Sequence, residues 1–179
     1  MNIVGIDLSL TSTGIAAVVD GTIVSETVTS RPDPTDLTGA TRRNGIVREL
    51  STWLTATPDL IVIEGPVKHS HSVIPMAMLH GCVLELIRAW DLLGRTLIVP
   101  PVTLKKFATG SGVAPKEAMV GHLIRRLGAK VEGVPSNDEA DGIWLAALGA
   151  HVMGHPLVDL PRINTEHLTK LAIPEGLNT

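Results

Sequence analysis

Two short apolar runs, each closed by an acid, constrain this chain more than any other feature of its sequence. Asn2 to Asp7 reads NIVGID and Leu60 to Glu64 reads LIVIE. Such runs are too short for a buried helix and match strands covered on both faces. An ionised carboxylate at the end of a buried strand costs several kcal/mol unless it is paired, protonated or bound to a cation. Between the two runs, Thr13 to Val19 and Thr22 to Thr29 are rich in β-formers and separated by Asp20-Gly21. Asp-Gly between apolar runs marks a two-residue hairpin, because both turn positions need positive φ. The chain therefore opens with three strands, read as an antiparallel meander.

Further along, Leu37 to Ala56 carries Ile46, Val47, Leu50, Trp53 and Leu54 at helical spacing. A long helix is expected from about Val73 to Leu93, and a fifth strand from Thr96 to Val99, closed by Pro100-Pro101. Helices near Thr103 to Ala108 and Pro115 to Leu127 follow, with Pro115 suited to a first helical position. Asn137 is the expected N-cap of a helix from Asp138 to Val152. The order implies an α/β fold: a mixed five-stranded sheet, three strands antiparallel and the rest parallel, with helices on both faces. At 179 residues the chain is about one domain long. That domain is expected over 1–155, with 156–179 a tail packed on the surface or partly irregular.

The helix expected at 73–93 is apolar on more than one side. Met76, Met78, Leu79, Cys82, Val83, Leu84, Leu86, Ile87, Trp90, Leu92 and Leu93 cover more than one stripe. A helix apolar most of the way round is buried on two sides, the second side being either a subunit interface or the protein's own interior. His80, Glu85, Arg88 and Asp91 make it too polar to span a membrane. Asp7 likewise interrupts the N-terminal apolar run that an export signal needs. The reading is a soluble protein of the cytoplasm. The one cysteine, Cys82, cannot form an internal disulfide or make a zinc site by itself. It is expected to be a small buried apolar residue. With 44% hydrophobic and 18% charged residues, disorder and coiled coil are excluded.

Charge is sorted along the chain. Residues 101–130 hold Lys105, Lys106, Lys116, Arg125, Arg126 and Lys130 against Glu117 alone, a net of +5, whereas 131–179 carry a net of −5. A basic segment beside an acidic one suits an enzyme that holds a polyanion near metal-binding carboxylates, though ordinary surface charge sorts this way too. Asp138 and Asp141, at i and i+3, share one face of a helix start. Ala140, Ile143, Trp144, Ala147 and Leu148 mark the apolar side, so Asp141 borders it and Glu139 points to solvent. If Asp7, Glu64, Asp138 and Asp141 converge, each pair about 4 Å apart repels by roughly 4 kcal/mol at an effective dielectric of 20. Hard divalent cations resolve that repulsion with oxygen ligands. Taken singly, each acid has an ordinary account in a turn, a salt bridge or a helix cap; together they favour a site.

GIDLSLTSTGIA, LIVIEGP, LKKFATGSGVAPKEAM and NDEADGIWLAAL, taken in order over about 1–152, resemble the RuvC-type Holliday-junction resolvases of the RNase H-like superfamily. The resemblance implies a metal-dependent endonuclease that acts as a homodimer on branched DNA, the four-way junction above all. It implies two Mg²⁺ ions per site, with Mn²⁺ as a substitute, held by Asp7, Glu64, Asp138 and Asp141. It places Lys105 and Lys116 at the scissile phosphate, and Gly110 and Gly112 fit the glycine pattern between them. Lys116 is the expected stabiliser of developing charge, and Lys105, Lys106, Lys68, His69, His71 and Arg125 are the expected further DNA contacts. The dimer is expected through the helix at 73–93. Two departures bear on substrate. Leu8-Ser9 stands where the commoner pattern has Pro-Gly. The loop Gly65-Pro66-Val67-Lys68-His69-Ser70-His71 lacks the aromatic that many members wedge into the junction. Base stacking on an aromatic is worth about 1–3 kcal/mol, so a divergent, phage-type enzyme that also cuts other branched DNA is expected.

Other motifs fall away. The run from Gly110 to Lys116 lacks the second glycine before the lysine and the Ser/Thr after it, so no nucleotide cofactor is expected there. His151 and His155 end a helix at Gly154 and Pro156. A nucleotide-binding module of the actin and sugar-kinase superfamily shares a strand-Asp opening but needs two subdomains. A non-catalytic junction-binding protein is the other alternative, although all four acids are present.

Overall fold

The computed structural model describes residues 1–66, 73–133, 135–174 and 177. Five strands form one sheet: β1 (Asn2–Asp7), β2 (Ser12–Val19), β3 (Thr22–Thr29), β4 (Leu60–Glu64) and β5 (Thr96–Val99), in the order β3-β2-β1-β4-β5. β1, β2 and β3 pair antiparallel, whereas β4 runs parallel to β1 and β5 parallel to β4. The β2–β3 turn has φ 50° at Asp20 and 83° at Gly21, the positive values an Asp-Gly hairpin supplies at least cost. Six α-helices complete the described chain: α1 (Ala40–Leu54), α2 (Val73–Ala89), α3 (Pro101–Thr109), α4 (Lys116–Leu127), α5 (Asn137–Val152) and α6 (Arg162–Thr165).

Alternation along the strands divides the core in two. Ile3, Val18, Leu60, Val62, Leu97 and Val99 pack with α3, α4 and α5. Val4, Ile6, Ile15, Ile61 and Ile63 pack with α1 and α2. The sheet is thus covered on both faces, as expected for continuous apolar strands. The same period of two carries the odd residues of β1 and the even residues of β4 to the α5 side. Asp7 and Glu64 therefore end their strands on one face.

Several boundaries differ from the sequence reading. α1 begins at Ala40 rather than Leu37, because the Asp36 carboxylate accepts from the backbone N–H groups of Thr38 and Thr41 and Gly39 takes φ 64°. The resulting turn leaves Leu37 96% exposed. Pro115 precedes α4 and is not its first residue. α2 stops at Ala89, and Asp91 turns the chain at φ 58°. Cys82 is exposed, not buried. Only one stripe of α2, Leu79, His80, Val83 and Ile87, faces the core. Ile74, Met78 and Cys82 recur at i+4 on the far side, with Ile74 73% exposed. An entirely internal helix is excluded, and the outward apolar face remains. Beyond α5, Leu157, Val158, Leu160 and Leu171 lean on the core, and the buried Asn164 amide donates to the Phe107 carbonyl at 2.7 Å. Among the described residues no helix is long and apolar enough to cross a membrane.

Candidate active site

The parallel register sets Ile6 against Ile63, so Asp7 and Glu64 follow side by side at the sheet's C-terminal end. The acids of α5 reach them because the sheet is thin where the helix begins. A Cβ on Gly14 would lie 1.9 Å from the Asp138 carbonyl oxygen, and one on Gly5 would lie 2.2 Å from that of Gly142. Only hydrogen fits at either position, and the first turn of α5 lies against the backbone of β1 and β2. A capping box holds that turn: the Ser136 hydroxyl accepts from the Glu139 N–H, and the Glu139 carboxylate accepts from the Ser136 N–H. The cap is therefore Ser136, not Asn137, and Glu139 is used in the cap rather than left to solvent. Asp141 then comes within reach of Asp7 and Glu64, and Asp138, one turn earlier, lies beside Asp141.

Polar contacts fix the outer part of the cluster. Lys116 Nζ, at the first residue of α4, lies 2.7 Å from Asp138 Oδ1 and 3.7 Å from Asp141 Oδ2. The Ser12 hydroxyl donates to Asp138 Oδ2 at 2.5 Å. Bonds from Lys116 and Ser12 hold the Asp138 carboxyl below its usual range. The inner acids behave in the opposite sense. Burial, then the charges of Glu64 and Asp141, raise Asp7 well above the carboxylate norm, with Lys116 pulling the other way. Glu64 is pushed up to about 7 by burial and by Asp141, against opposing effects from Asp7, Lys105 and Lys116. Burial also raises Asp141, and Lys116 and Lys105 offset part of it. For Lys116 burial is the largest single effect and lowers its pKa, but Asp138, Asp141 and Asp7 together outweigh it and the net shift is upward.

These couplings bring Asp7, Glu64, Asp141, Asp138, Lys116 and Lys105 into one neighbourhood. Lys106 turns away, its Nζ 3.8 Å from Glu166. Arg125 lies nine residues beyond Lys116 on α4, about 13 Å along the axis. Lys68, His69 and His71 lie outside the described residues. Ser12 was missed by sequence reasoning; its signal is a hydroxyl two residues before the glycine that α5 presses on. The donor set is all oxygen and carries more negative charge than the two lysines neutralise, which suits hard divalent cations. Among the described residues no three His, Cys, Asp or Glu side chains are already arranged as a metal-ligand set, and the Lys116 ammonium stands between Asp138 and Asp141.

No family model matches the sequence, and no curated protein matches it. Solved structures do. RuvC of Thermus thermophilus superposes with a TM-score of 0.65 at 20% identity, over 87% of this chain and 98% of that one. T. thermophilus RuvC in complex with Holliday junction substrate gives 0.62 at 20% identity, over 87% and 97%. Fowlpox virus resolvase with its substrate Holliday junction DNA reaches only 0.39 at 13% identity, over 85% and 99%, too low to bear on the fold. At this identity the likeness to RuvC is one of architecture: the chain has the RNase H-like fold.

Proposed function

We propose that this chain is a metal-dependent, structure-selective DNA endonuclease that resolves four-way junctions by paired nicks. The observation that carries the reading is the meeting of Asp7, Glu64 and Asp141 at one sheet end, where burial raises all three and the charge of Asp141 raises both Asp7 and Glu64, on the fold shared with RuvC. Asp7, Glu64, Asp138 and Asp141 would hold two Mg²⁺ ions, with Mn²⁺ able to replace them. When bound, such ions acidify water and neutralise charge at the leaving oxygen of a phosphodiester. The protein's own groups set the stage for that chemistry. Asp138 is ionised and oriented by Ser12, while Glu64, with its value near 7, gives up its proton only around neutrality. Lys116, at the edge of the cluster against Asp138 and Asp141, would stabilise charge developing on the phosphate, with Lys105 in the same neighbourhood. Paired nicks need two sites, and the outward face of α2 offers the surface for a second copy.

Incubation of a synthetic four-way junction, a flap and a linear duplex with Mg²⁺, Mn²⁺ or EDTA tests the reading. Symmetric nicks leaving 5′-phosphates, made with either metal and absent in EDTA, are expected. Equal rates on linear duplex remove branch selectivity. Binding without cutting under every condition turns the protein into a non-catalytic junction binder.

A further inference from the structure

The end of the sheet that carries the acids is basic on both flanks. Glu64 pairs with Val99 of β5, and the chain continues into α3 with Lys105. On the opposite flank, Ser12 pairs with Thr29, the last residue of β3. Just beyond lies a cavity of about 210 Å³ between the end of β3 and the start of α1. Its lining residues include Arg31, Arg42 and Arg48 and one acid, Glu49. Glu49 is engaged by Arg48 at 3.4 Å. Arg42 is half-buried and donates only to neutral oxygens among the described residues: Nε to Ser30 Oγ at 3.0 Å, and Nη2 to Thr11 Oγ1 and the Ser30 carbonyl at 3.4 Å. Ser30 is itself tied to the Thr11 carbonyl through its N–H, and its hydroxyl donates to the Leu10 carbonyl. These bonds join the cavity to Leu10 and Thr11, just before Ser12, whose hydroxyl holds Asp138.

Three arginines against one acid make a concave, net-positive site whose guanidinium donors match phosphate oxygens. We infer that this cavity binds a backbone phosphate of the DNA strand that crosses the active site. β3 lies two strands from β1, about 10 Å at the usual spacing, or roughly three nucleotides at 3.4 Å of rise each. The contacted phosphate is therefore expected two to four nucleotides from the cut. The inference rests on the endonuclease reading and adds a second anchor that fixes the strand's path across the sheet end.

The test is junction binding in EDTA across a salt series, with junctions bearing a single neutral methylphosphonate at successive linkages. Arg31→Gln and Arg48→Gln change exposed side chains, and the two together should reduce the slope of log affinity against log salt by about 1, the share of one phosphate. A methylphosphonate two to four nucleotides from the cut should weaken the wild type and leave the double variant little affected. Arg42→Lys, which keeps the charge, should retain most of the slope, and Arg42→Gln should not. Unchanged slopes in the glutamine variants, or no effect of the methylphosphonates on the wild type, overturn the inference while junction cutting by the wild type still stands. A wild type that neither binds nor cuts junctions overturns the endonuclease reading and the inference with it.

Discussion

Ser12 and Glu64 show how single residues set the charge of the site. Ser12 gives Asp138 a second bond besides that of Lys116, and a hydrogen bond to a charged group contributes about 1.5–3 kcal/mol. Ser12→Ala is expected to slow nicking about tenfold while leaving junction affinity in EDTA unchanged; a binding defect of the same size would assign Ser12 to DNA contact instead. Glu64 is raised from an ordinary value near 4.5 to about 7. A raised carboxyl contributes stability that is fully present below pH 4.5 and lost as the pH climbs through 7. Glu64→Gln removes the charge and keeps the shape. In EDTA it should match the wild type near pH 4.5 and be more stable at pH 8 by on the order of 2–3 kcal/mol. Thermal melts at the two pH values check this, and a difference that ignores pH defeats it. The same variant should lose nicking by at least about 100-fold.

At the scale of elements, α5 depends on a cap and on two glycines that the strands keep bare. Asp138, Asp141 and the helical spacing behind them were legible in the sequence, because a period of 3.6 with acids at i and i+3 reads directly. The cap was misplaced by one residue: Asn137 and Ser136 have equal intrinsic claims, and the reciprocal bonds with Glu139 decide between them. Ser136→Ala should destabilise the protein by about 1 kcal/mol in chemical denaturation. Gly14→Ala is a harsher change, since its Cβ would meet the Asp138 carbonyl at 1.9 Å. The helix start must move, and several kcal/mol of stability should go with most of the nicking activity. Wild-type melting by Gly14→Ala would show that α5 has room to shift. Cys82 was misread for a related reason. The apolar residues of α2 encircle the helix, and composition cannot say which side the core takes.

For the whole molecule, the outward stripe of α2 carries the proposed pairing of two copies. Ile74→Asp combined with Met78→Asp should give a monomer by sedimentation at micromolar concentration. It should still bind junctions yet make single, unpaired nicks. A wild type that sediments as a monomer leaves paired cutting without its basis. The order of strands and helices, the hairpin at Asp20-Gly21 and the two acids at strand ends were determined by sequence alone. They follow from local rules: alternation, turn chemistry and the cost of leaving a charge at a buried strand end. The meeting of Asp7 with Glu64, the descent of α5 onto Gly5 and Gly14, and the arginine-lined cavity beside β3 were decided only by tertiary structure. These features join residues far apart along the chain, and strand register and helix-to-sheet distance, which no local pattern encodes, set how near they come.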